Sequence, residues 1–188
     1  MNNIVHEKGS FRDPAGRIFY KNNKVYREIY NQGINRYEFI KSSGILEESI
    51  KKGFVIKTKE IVDQSLKSEL SNSKFILEHE NINYVSFPYE WCFYQLKEAA
   101  LHHINFQLFL IERNAVLIDS SAYNVQFIGN SPIFIDVLSI DKYEEGMYWK
   151  GHRQFCENFL NPLLLSSKKN IYFNNWFKGN LEGIFTSD

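Results

Sequence analysis

The sequence is poor in residues that mark several common classes of protein. Its 188 residues include two cysteines, Cys92 and Cys156, which stand far apart and outside any Cys-x-x-Cys or Cys/His cluster. Neither a disulfide framework nor a typical zinc site is therefore indicated, and a reducing compartment is the simpler interpretation. Internal repeats and low-complexity tracts are also missing, so a repeat architecture is not indicated.

An excess of charge of either sign is absent as well. The 22 basic residues balance 22 acidic ones, so there is no global field to attract nucleic acid or an anionic membrane. No apolar run approaches the roughly 18 residues of a membrane span, and the first eight residues lack the apolar core of a signal peptide. We therefore expect a cytoplasmic protein that binds no nucleic acid and spans no membrane.

What the sequence has in abundance is apolar and aromatic side chains. Hydrophobic residues make up 44% of the chain and aromatic residues 16%, with 16 Phe and 11 Tyr. This composition excludes a disordered chain. The length suffices for one domain, or two small lobes, with a sizeable core.

The first half of the chain is predicted to form a small mixed sheet with a helix. Residues 17–20 and 24–29 flank Lys21-Asn22-Asn23, whose asparagines tolerate turn geometry, and this pattern predicts a β-hairpin. Residues 37–52 carry apolar side chains at helical spacing, interrupted at Ser42-Ser43-Gly44, and predict one or two short helices. The remaining predicted strands are the apolar runs 54–56, 75–77 and 84–87.

The second half begins with the strongest periodic pattern. From Glu90 to Ile111, apolar residues recur every three or four positions and predict a helix of about six turns. A short strand at 115–118, a polar loop and a hairpin formed by 125–128 and 133–135 are predicted to follow. Further helices are predicted from Trp149 onward.

Three polar residues around this hairpin suggest chemistry. Asp119 stands five positions before Asn124 in the polar loop, and Asp136 ends the second hairpin strand twelve positions later. This pattern resembles the catalytic and metal-binding loop of kinase-like phosphotransferases, and Ile133-Phe134-Ile135-Asp136 is similar to the strand that delivers the metal-binding Asp in the aminoglycoside phosphotransferase branch. The resemblance implies that Asp119 orients the acceptor hydroxyl, while Asn124 and Asp136 hold magnesium on ATP.

A purely structural role for the same three residues is the alternative. Asp119 would then begin a turn by accepting backbone N–H bonds, Asn124 would adopt a left-handed conformation, and Asp136 would cap the next element. The two interpretations are compatible, since a degenerate kinase keeps its fold without the reaction.

The resemblance also implies a fold and a nucleotide site. The expected fold is α+β, a protein-kinase-like two-lobed domain with an N-lobe at 1–87 and a truncated helical C-lobe at 88–188. Arg27 stands where such proteins carry the ATP-contacting lysine of the third strand, with Lys24 as a substitute. Phe87 and Tyr89 stand where the hinge would hold the adenine. In place of a glycine-rich phosphate loop there is only Asp13-Pro14-Ala15-Gly16.

A second resemblance extends over nearly the whole chain. The strings Ser10-Phe11-Arg12-Asp13-Pro14-Ala15-Gly16, Phe87-Pro88-Tyr89-Glu90-Trp91, Asp119-Ser120-Ser121-Ala122-Tyr123-Asn124 and Gly151-His152-Arg153-Gln154-Phe155-Cys156 are similar to the N-terminal module of bacterial class I SAM-dependent methyltransferase-like proteins. These proteins are often encoded with surface-polysaccharide or nodulation functions. The strand and glycine-rich loop of a methyltransferase core are missing from these residues. SAM is therefore expected only if a methyl-transfer domain is supplied elsewhere.

Two hypotheses follow. The first is a kinase-like domain that binds a nucleotide and magnesium, either a phosphotransferase acting on a small molecule or glycan, or a pseudokinase. The second is a non-catalytic module that positions a glycan or a protein partner for a methyltransferase.

Overall fold

The structure is a computed structural model that describes residues 4–70 and 72–187. Within these residues it combines a five-stranded antiparallel sheet, two smaller antiparallel pairs and several helices. The strands are β1 (Val5–His6), β2 (Gly16–Lys21), β3 (Lys24–Ile29), β4 (Thr58–Glu60), β5 (Phe75–His79), β6 (Ala115–Leu117), β7 (Val125–Ile128), β8 (Ser131–Phe134) and β9 (Ile140–Lys142). The helices are α1 (Ile34–Ser42), α2 (Ile45–Lys51), α3 (Gln64–Glu69), α4 (Phe93–Ile111), α5 (His152–Phe155), α6 (Asn161–Lys169) and α7 (Asn174–Gly179).

The main sheet has the strand order β1-β2-β3-β5-β4. Its β2–β3 hairpin turns through Asn22 and Asn23, which have positive φ angles of 53° and 59°, as a two-residue hairpin turn requires. The predicted hairpin is therefore confirmed. Because β3 pairs with β2 on one edge and β5 on the other, Arg27 lies in the middle of the sheet.

The predicted helices are also confirmed. The interruption expected at residues 42–44 separates α1 from α2, and Gly44 there has a φ of 72°. The long helix α4 buries one face in the main core through residues such as Leu96, Ala99, Phe106 and Leu110. Across 4–70 and 72–187, no helix combines the length and the apolar character needed to cross a bilayer.

Two of the predicted strands are wrong. Residues 84–87 do not join a sheet; instead, the backbone N–H of Ser86 donates to Oε1 of Gln126, and Nε2 of Gln126 donates to the Ser86 carbonyl, both at 2.9 Å. A side-chain amide thus takes the place of a neighbouring strand. Residues 54–56 form only a single parallel bridge, Val55 to Phe134.

That bridge nevertheless joins the two halves of the chain. Phe134 donates its N–H to the Phe54 carbonyl at 2.9 Å and accepts from the Ile56 N–H at 2.9 Å. The strand β8 is thereby fixed against the segment that follows α2, which brings the residues after β8 next to the main sheet. The mixed α and β character predicted from the sequence is confirmed, and this junction positions the candidate site.

Candidate functional site

A cleft of about 520 Å³ opens between the main sheet, α1 and the loops that follow β6 and β8. Four residues singled out from the sequence line this cleft: Arg27, Asp119, Asn124 and Asp136. Gly9, Ser10 and Gly16 contribute to its wall from the segment around the start of β2. Residues from distant parts of the chain therefore line the same cleft.

Arg27 connects two acidic residues of the cleft. Its side chain is only 8% exposed, and its Nη1 donates to Oδ1 of Asp136 at 2.6 Å while Nη2 donates to Oδ2 of Asp13. One guanidinium thus joins two carboxylates, and its Nε is buried without a hydrogen-bond partner. This geometry uses the forked donor arrangement that lysine lacks.

Asp136 is held from several sides. Besides Arg27, it accepts hydrogen bonds from the Leu138 N–H at 3.2 Å and from Oγ of Ser139 at 2.6 Å. Burial pushes the pKa of Asp136 upward, but the Arg27 charge and these hydrogen bonds outweigh burial, so its pKa lies below the usual value. Asp136 is therefore ionised at neutral pH.

Asp119 follows β6 and has the opposite electrostatic character. Its Oδ1 accepts from the Ser121 N–H at 2.9 Å. Burial raises the pKa of Asp119, and the nearby Asp136 charge adds to this, against hydrogen bonds that include the Ser121 N–H. The result is a carboxylate with increased proton affinity, as a general base requires.

Asn124 lies between the two aspartates. The backbone carbonyl of Asn124 accepts a hydrogen bond from the Ile135 N–H at 2.9 Å, which connects Asn124 to the segment that leads to Asp136. Its amide nitrogen Nδ2 is buried and has no well-formed hydrogen bond with a described residue, although the amide lies close enough to Asp119 to lower that group's pKa slightly. Asn124 and Asp119 therefore form a polar pair on the wall of the cleft.

The structural roles expected of these three residues are only partly found. Asp119 does begin a turn, and Asp136 does cap the next element, the 3₁₀ turn Val137–Ser139. The left-handed conformation expected for Asn124 is wrong, because Asn124 is not among the described residues with positive φ. Its side-chain amide instead faces the Asp119 carboxylate.

The structure does not bring the other predicted nucleotide contacts to this cleft. Lys24 pairs with Glu78 at 3.1 Å and is 51% exposed. Phe87 and Tyr89 stack on each other with ring centroids 5.3 Å apart, and Phe87 also lies near Tyr123. None of these three residues lines the cleft that contains Arg27.

Sequence reasoning missed two charged residues of the cleft, Asp13 and Arg36. Arg36 projects from α1, donates from Nη1 to the Leu138 carbonyl at 2.9 Å, and has a buried Nε without a hydrogen bond. The string Asp13-Pro14-Ala15-Gly16 was noticed, but nothing in it indicated a partner for Arg27. No spacing rule could have found either contact, since both depend on tertiary packing.

The loop that carries Asp119 is clamped by the segment that opens α5. Trp149 Nε1 donates to the Leu117 carbonyl at 2.7 Å, and Oε1 of Gln154 accepts from the Ser120 N–H at 2.6 Å. Beneath the loop, the buried Ser120 hydroxyl lies 3.1 Å from Nε2 of His103. The position of Asp119 thus depends on close packing around Ser120.

Replacing Gly151 with alanine tests this packing. A Cβ at this position would lie 2.1 Å from Ser120 Oγ, so Gly151→Ala is expected to cost about 2 kcal/mol of unfolding free energy in urea denaturation. Gly179→Ala is the matched control, because nothing lies within 4 Å of a Cβ there. Adding Ser120→Ala to the Gly151 variant should recover part of the loss; strictly additive effects would contradict the proposed clash.

Comparison with known proteins gives one similarity and one negative result. The chain is 39% identical over 181 residues to the nodulation protein NoeA of Rhizobium meliloti (strain 1021), and the aligned region covers 96% of this chain and 37% of that protein. The nodulation part of the resemblance noted in the sequence is thus confirmed. No protein-family model matches the chain. The chain therefore spans little more than a third of the length of NoeA.

Proposed function

We propose that this chain is a kinase-like domain that binds a magnesium–nucleotide complex, as a phosphotransferase or as a pseudokinase. The observation that carries the proposal is the meeting of Arg27, Asp119, Asn124 and Asp136 in one cleft. Arg27 and Asp136 are 109 positions apart in the chain, so local sequence does not account for their contact.

The order of elements supports the same proposal. A five-stranded antiparallel sheet with helices after its third strand is followed by the long helix α4, the short strand β6, a polar loop and the β7–β8 hairpin that precedes Asp136. This order is typical of a two-lobed kinase-like domain, with the sheet in the N-lobe and a truncated helical C-lobe. Fold likeness raises the expectation of a nucleotide site but does not establish a reaction.

The hydrogen-bond inventory of the cleft favours an anionic ligand rich in oxygen. Arg27 Nε is a buried donor without a hydrogen-bond partner among the described residues, Arg36 Nε lies 3.7 Å from Oδ2 of Asp141, and both arginines line the cleft. Leaving a buried donor unpaired costs about 1–3 kcal/mol. The two guanidinium groups would attract the phosphate oxygens of a nucleotide in the cleft.

The oxygen-bearing side chains of the cleft could hold a magnesium ion only if the phosphates of the nucleotide also coordinated it. Among residues 4–70 and 72–187, no three His, Cys, Asp or Glu side chains are grouped so as to hold a metal ion. Magnesium commonly takes only one or two carboxylates and completes its shell with phosphate oxygens and water. Asp136, whose Oδ2 accepts from the Ser139 hydroxyl, and Asn124 would supply the protein's share of the magnesium ligands.

The remaining residues have separate tasks in this proposal. Bound Mg–ATP supplies the phosphoryl group and neutralises its charge. Asp119, with its raised pKa, accepts the proton of an acceptor hydroxyl, and Arg27 contacts the phosphates. If Arg27 stays locked between Asp13 and Asp136, the domain binds the nucleotide without transfer, which is the pseudokinase form.

A thermal-shift titration with magnesium and a non-hydrolysable ATP analogue, Mg–AMP-PNP, tests the site. At about a hundredfold excess over Kd, the wild type should gain about 2.7 kcal/mol, or roughly 5–10 °C in Tm. Asp136→Asn should lose most of this shift, as should the wild type in EDTA. Glu98→Gln, on the exposed side of α4, removes the same charge elsewhere and should respond as the wild type does. A wild type that does not respond, or an Asp136 variant with an unchanged shift, would refute the nucleotide site.

A second candidate function is suggested by the length of NoeA. Because the chain spans 37% of that protein, we propose as the alternative a non-catalytic module that positions a glycan or protein partner for a methyltransferase encoded in the remaining length or separately. This alternative expects association with such a methyltransferase in a pull-down and no response to Mg–AMP-PNP. A calorimetric titration with SAM should be flat for the chain alone, and heat from SAM binding would contradict the assignment of methyl transfer to another domain.

A further inference from the structure

A second cavity, of about 590 Å³, shares Asp13 with the nucleotide cleft. Its other walls come from the start of β2, the turn between β3 and α1, and the segment before β5. We propose that this cavity binds a small, hydroxyl-bearing molecule with one anionic group, at a site separate from the nucleotide. The inference goes beyond the proposed nucleotide function and does not rest on it.

Two cations of the cavity have no partner among the residues that the structure describes. Arg17 on β2 and Lys74 before β5 both line it, and neither side chain forms an ion pair or a hydrogen bond with a residue that the structure describes. Lys21 and Lys24, on the same sheet, do find carboxylates, Glu69 and Glu78. Arg17 and Lys74 therefore keep donors for a ligand, although the carboxylates of Asp13 and Glu28 lie nearby.

The carboxylate closest to Arg17 in the strand register is already engaged. Glu28 lies opposite Arg17 in the β2–β3 pairing, but its side chain is 4% exposed and binds His6, the Tyr30 hydroxyl and Ser73. Asp13, at the edge of the cavity, is likewise occupied. Its Oδ1 accepts from the Ala15 N–H and its Oδ2 binds Arg27. Both carboxylates therefore have other partners, and Arg17 and Lys74 remain the groups that would contact an anion.

The polar groups beside these cations fit hydroxyls. Asn31, Gln32 and Asn72 line the cavity, and each presents an amide that both donates and accepts. None of these amides has a side-chain hydrogen bond within the described residues. Tyr30 closes the wall, with its ring fixed by the 2.6 Å bond from its hydroxyl to Glu28.

The volume of the cavity lies within the range of small-ligand sites, about 300–1,000 Å³, and its polar lining suits a hydrophilic ligand. The cations would hold a phosphate or carboxylate, since hydrogen bonds to charged groups are the stronger ones. The amides would hold neighbouring hydroxyls. Sugar phosphates and uronic acids share this chemistry, and the choice of anion is left to experiment.

Calorimetry on the intact chain with four probes separates the contribution of the anionic group to binding from that of the hydroxyls. The probes are D-glucose 6-phosphate, D-glucuronate, neutral D-glucose and inorganic phosphate, each to about 10 mM, where weak binding is still measurable. We expect binding of one or both sugar anions, and binding at least about tenfold weaker for glucose and for inorganic phosphate. The stronger of the two sugar anions identifies the anionic group.

The variant Arg17→Gln/Lys74→Gln should weaken binding of the sugar anion at least about tenfold. Its matched control is Lys57→Gln/Lys59→Gln, two exposed lysines at the other edge of the sheet that pair with Glu80 and Glu78 and should leave binding unchanged. Both variants must keep the wild-type Tm within about 2 °C, as expected for surface substitutions. The proposal is overturned if neither sugar anion binds, if glucose binds as well as they do, or if the two double variants bind equally. Inorganic phosphate that binds as tightly as glucose 6-phosphate would overturn the role of the amides.

Discussion

Arg27→Met is expected to lower the free energy of unfolding by about 2–4 kcal/mol at pH 7. Removing one member of a buried ion pair typically costs about 3–5 kcal/mol, because the remaining charge is left without a partner. Here the carboxylates of Asp13 and Asp136 keep side-chain exposures of 33% and 22%, so solvent reduces the loss. Methionine keeps most of the volume of the arginine stem, which separates loss of charge from loss of packing.

The pH dependence of this loss identifies its cause. In the wild type the pKa of Asp136 is depressed in the folded state, so its contribution to stability is present above the pKa of an unfolded aspartate, about 3.9, and is lost as pH falls through the lower folded-state value. Without Arg27, burial raises the pKa of Asp136. The difference between variant and wild type should therefore be largest near neutral pH and shrink toward about pH 4.

Urea denaturation of both proteins between pH 7 and pH 4 measures this difference. Lys24→Met is the matched control, because Lys24 lies on the same strand as Arg27 but is exposed, and it pairs with Glu78 on β5. That change should cost no more than about 0.5 kcal/mol. Equal losses for the two variants, or a loss at Arg27 that does not diminish in acid, would show that the guanidinium does not hold the cleft together.

The elements with a clear local pattern could be predicted from the sequence. The paired asparagines Asn22 and Asn23 fix a hairpin turn through their tolerance of positive φ. Helix α4 follows from apolar side chains at helical spacing. The strand predicted at 84–87 failed because its sequence resembles a strand while its hydrogen bonds go to the side chain of Gln126. Strand propensity does not determine which group the backbone of a segment hydrogen-bonds to.

The candidate site was predictable to a similar, limited extent. Asp119, Asn124 and Asp136 were found because their spacing and the surrounding order of helix, loop and hairpin resemble the catalytic loop of kinase-like phosphotransferases. Arg27 was found from its position in the third strand. Asp13 was not assigned a role. It precedes β2, whereas its partner Arg27 lies on β3, and the two meet only because β2 and β3 pair in the folded sheet. Contacts of this kind leave no periodic signal.

Acid is expected to destabilise the protein well before its carboxylates titrate, because two histidines are buried as neutral groups. Burial lowers the pKa of His79 to about 4, with a further lowering by the Arg27 charge against the Asp136 charge. Burial, and to a lesser extent His102, lower the pKa of His103 to about 3. His79 Nε2 and His103 Nδ1 are buried without partners, so the structure offers no acceptor that would stabilise the protonated rings.

The sign of the effect follows from the unfolded state. Unfolded histidines bind protons below about pH 6.5, whereas the folded protein does not protonate His79 until about pH 4 or His103 until about pH 3. Between pH 6.5 and 4, each histidine should therefore remove about 1.4 kcal/mol of stability per pH unit. Together they would remove roughly 6 kcal/mol by pH 4, an amount comparable with the whole stability of many domains.

His103→Gln should remove about half of this pH dependence. Glutamine can still donate to the Ser120 hydroxyl, the partner of His103 Nε2 at 3.1 Å, but it does not titrate. Urea denaturation at pH 7, 6 and 5 gives the slope of unfolding free energy against pH for each protein. Comparing slopes at the same pH cancels carboxylates such as Asp119, whose raised pKa acts in the opposite direction. An unchanged slope for His103→Gln would mean that His103 is protonated inside the folded core.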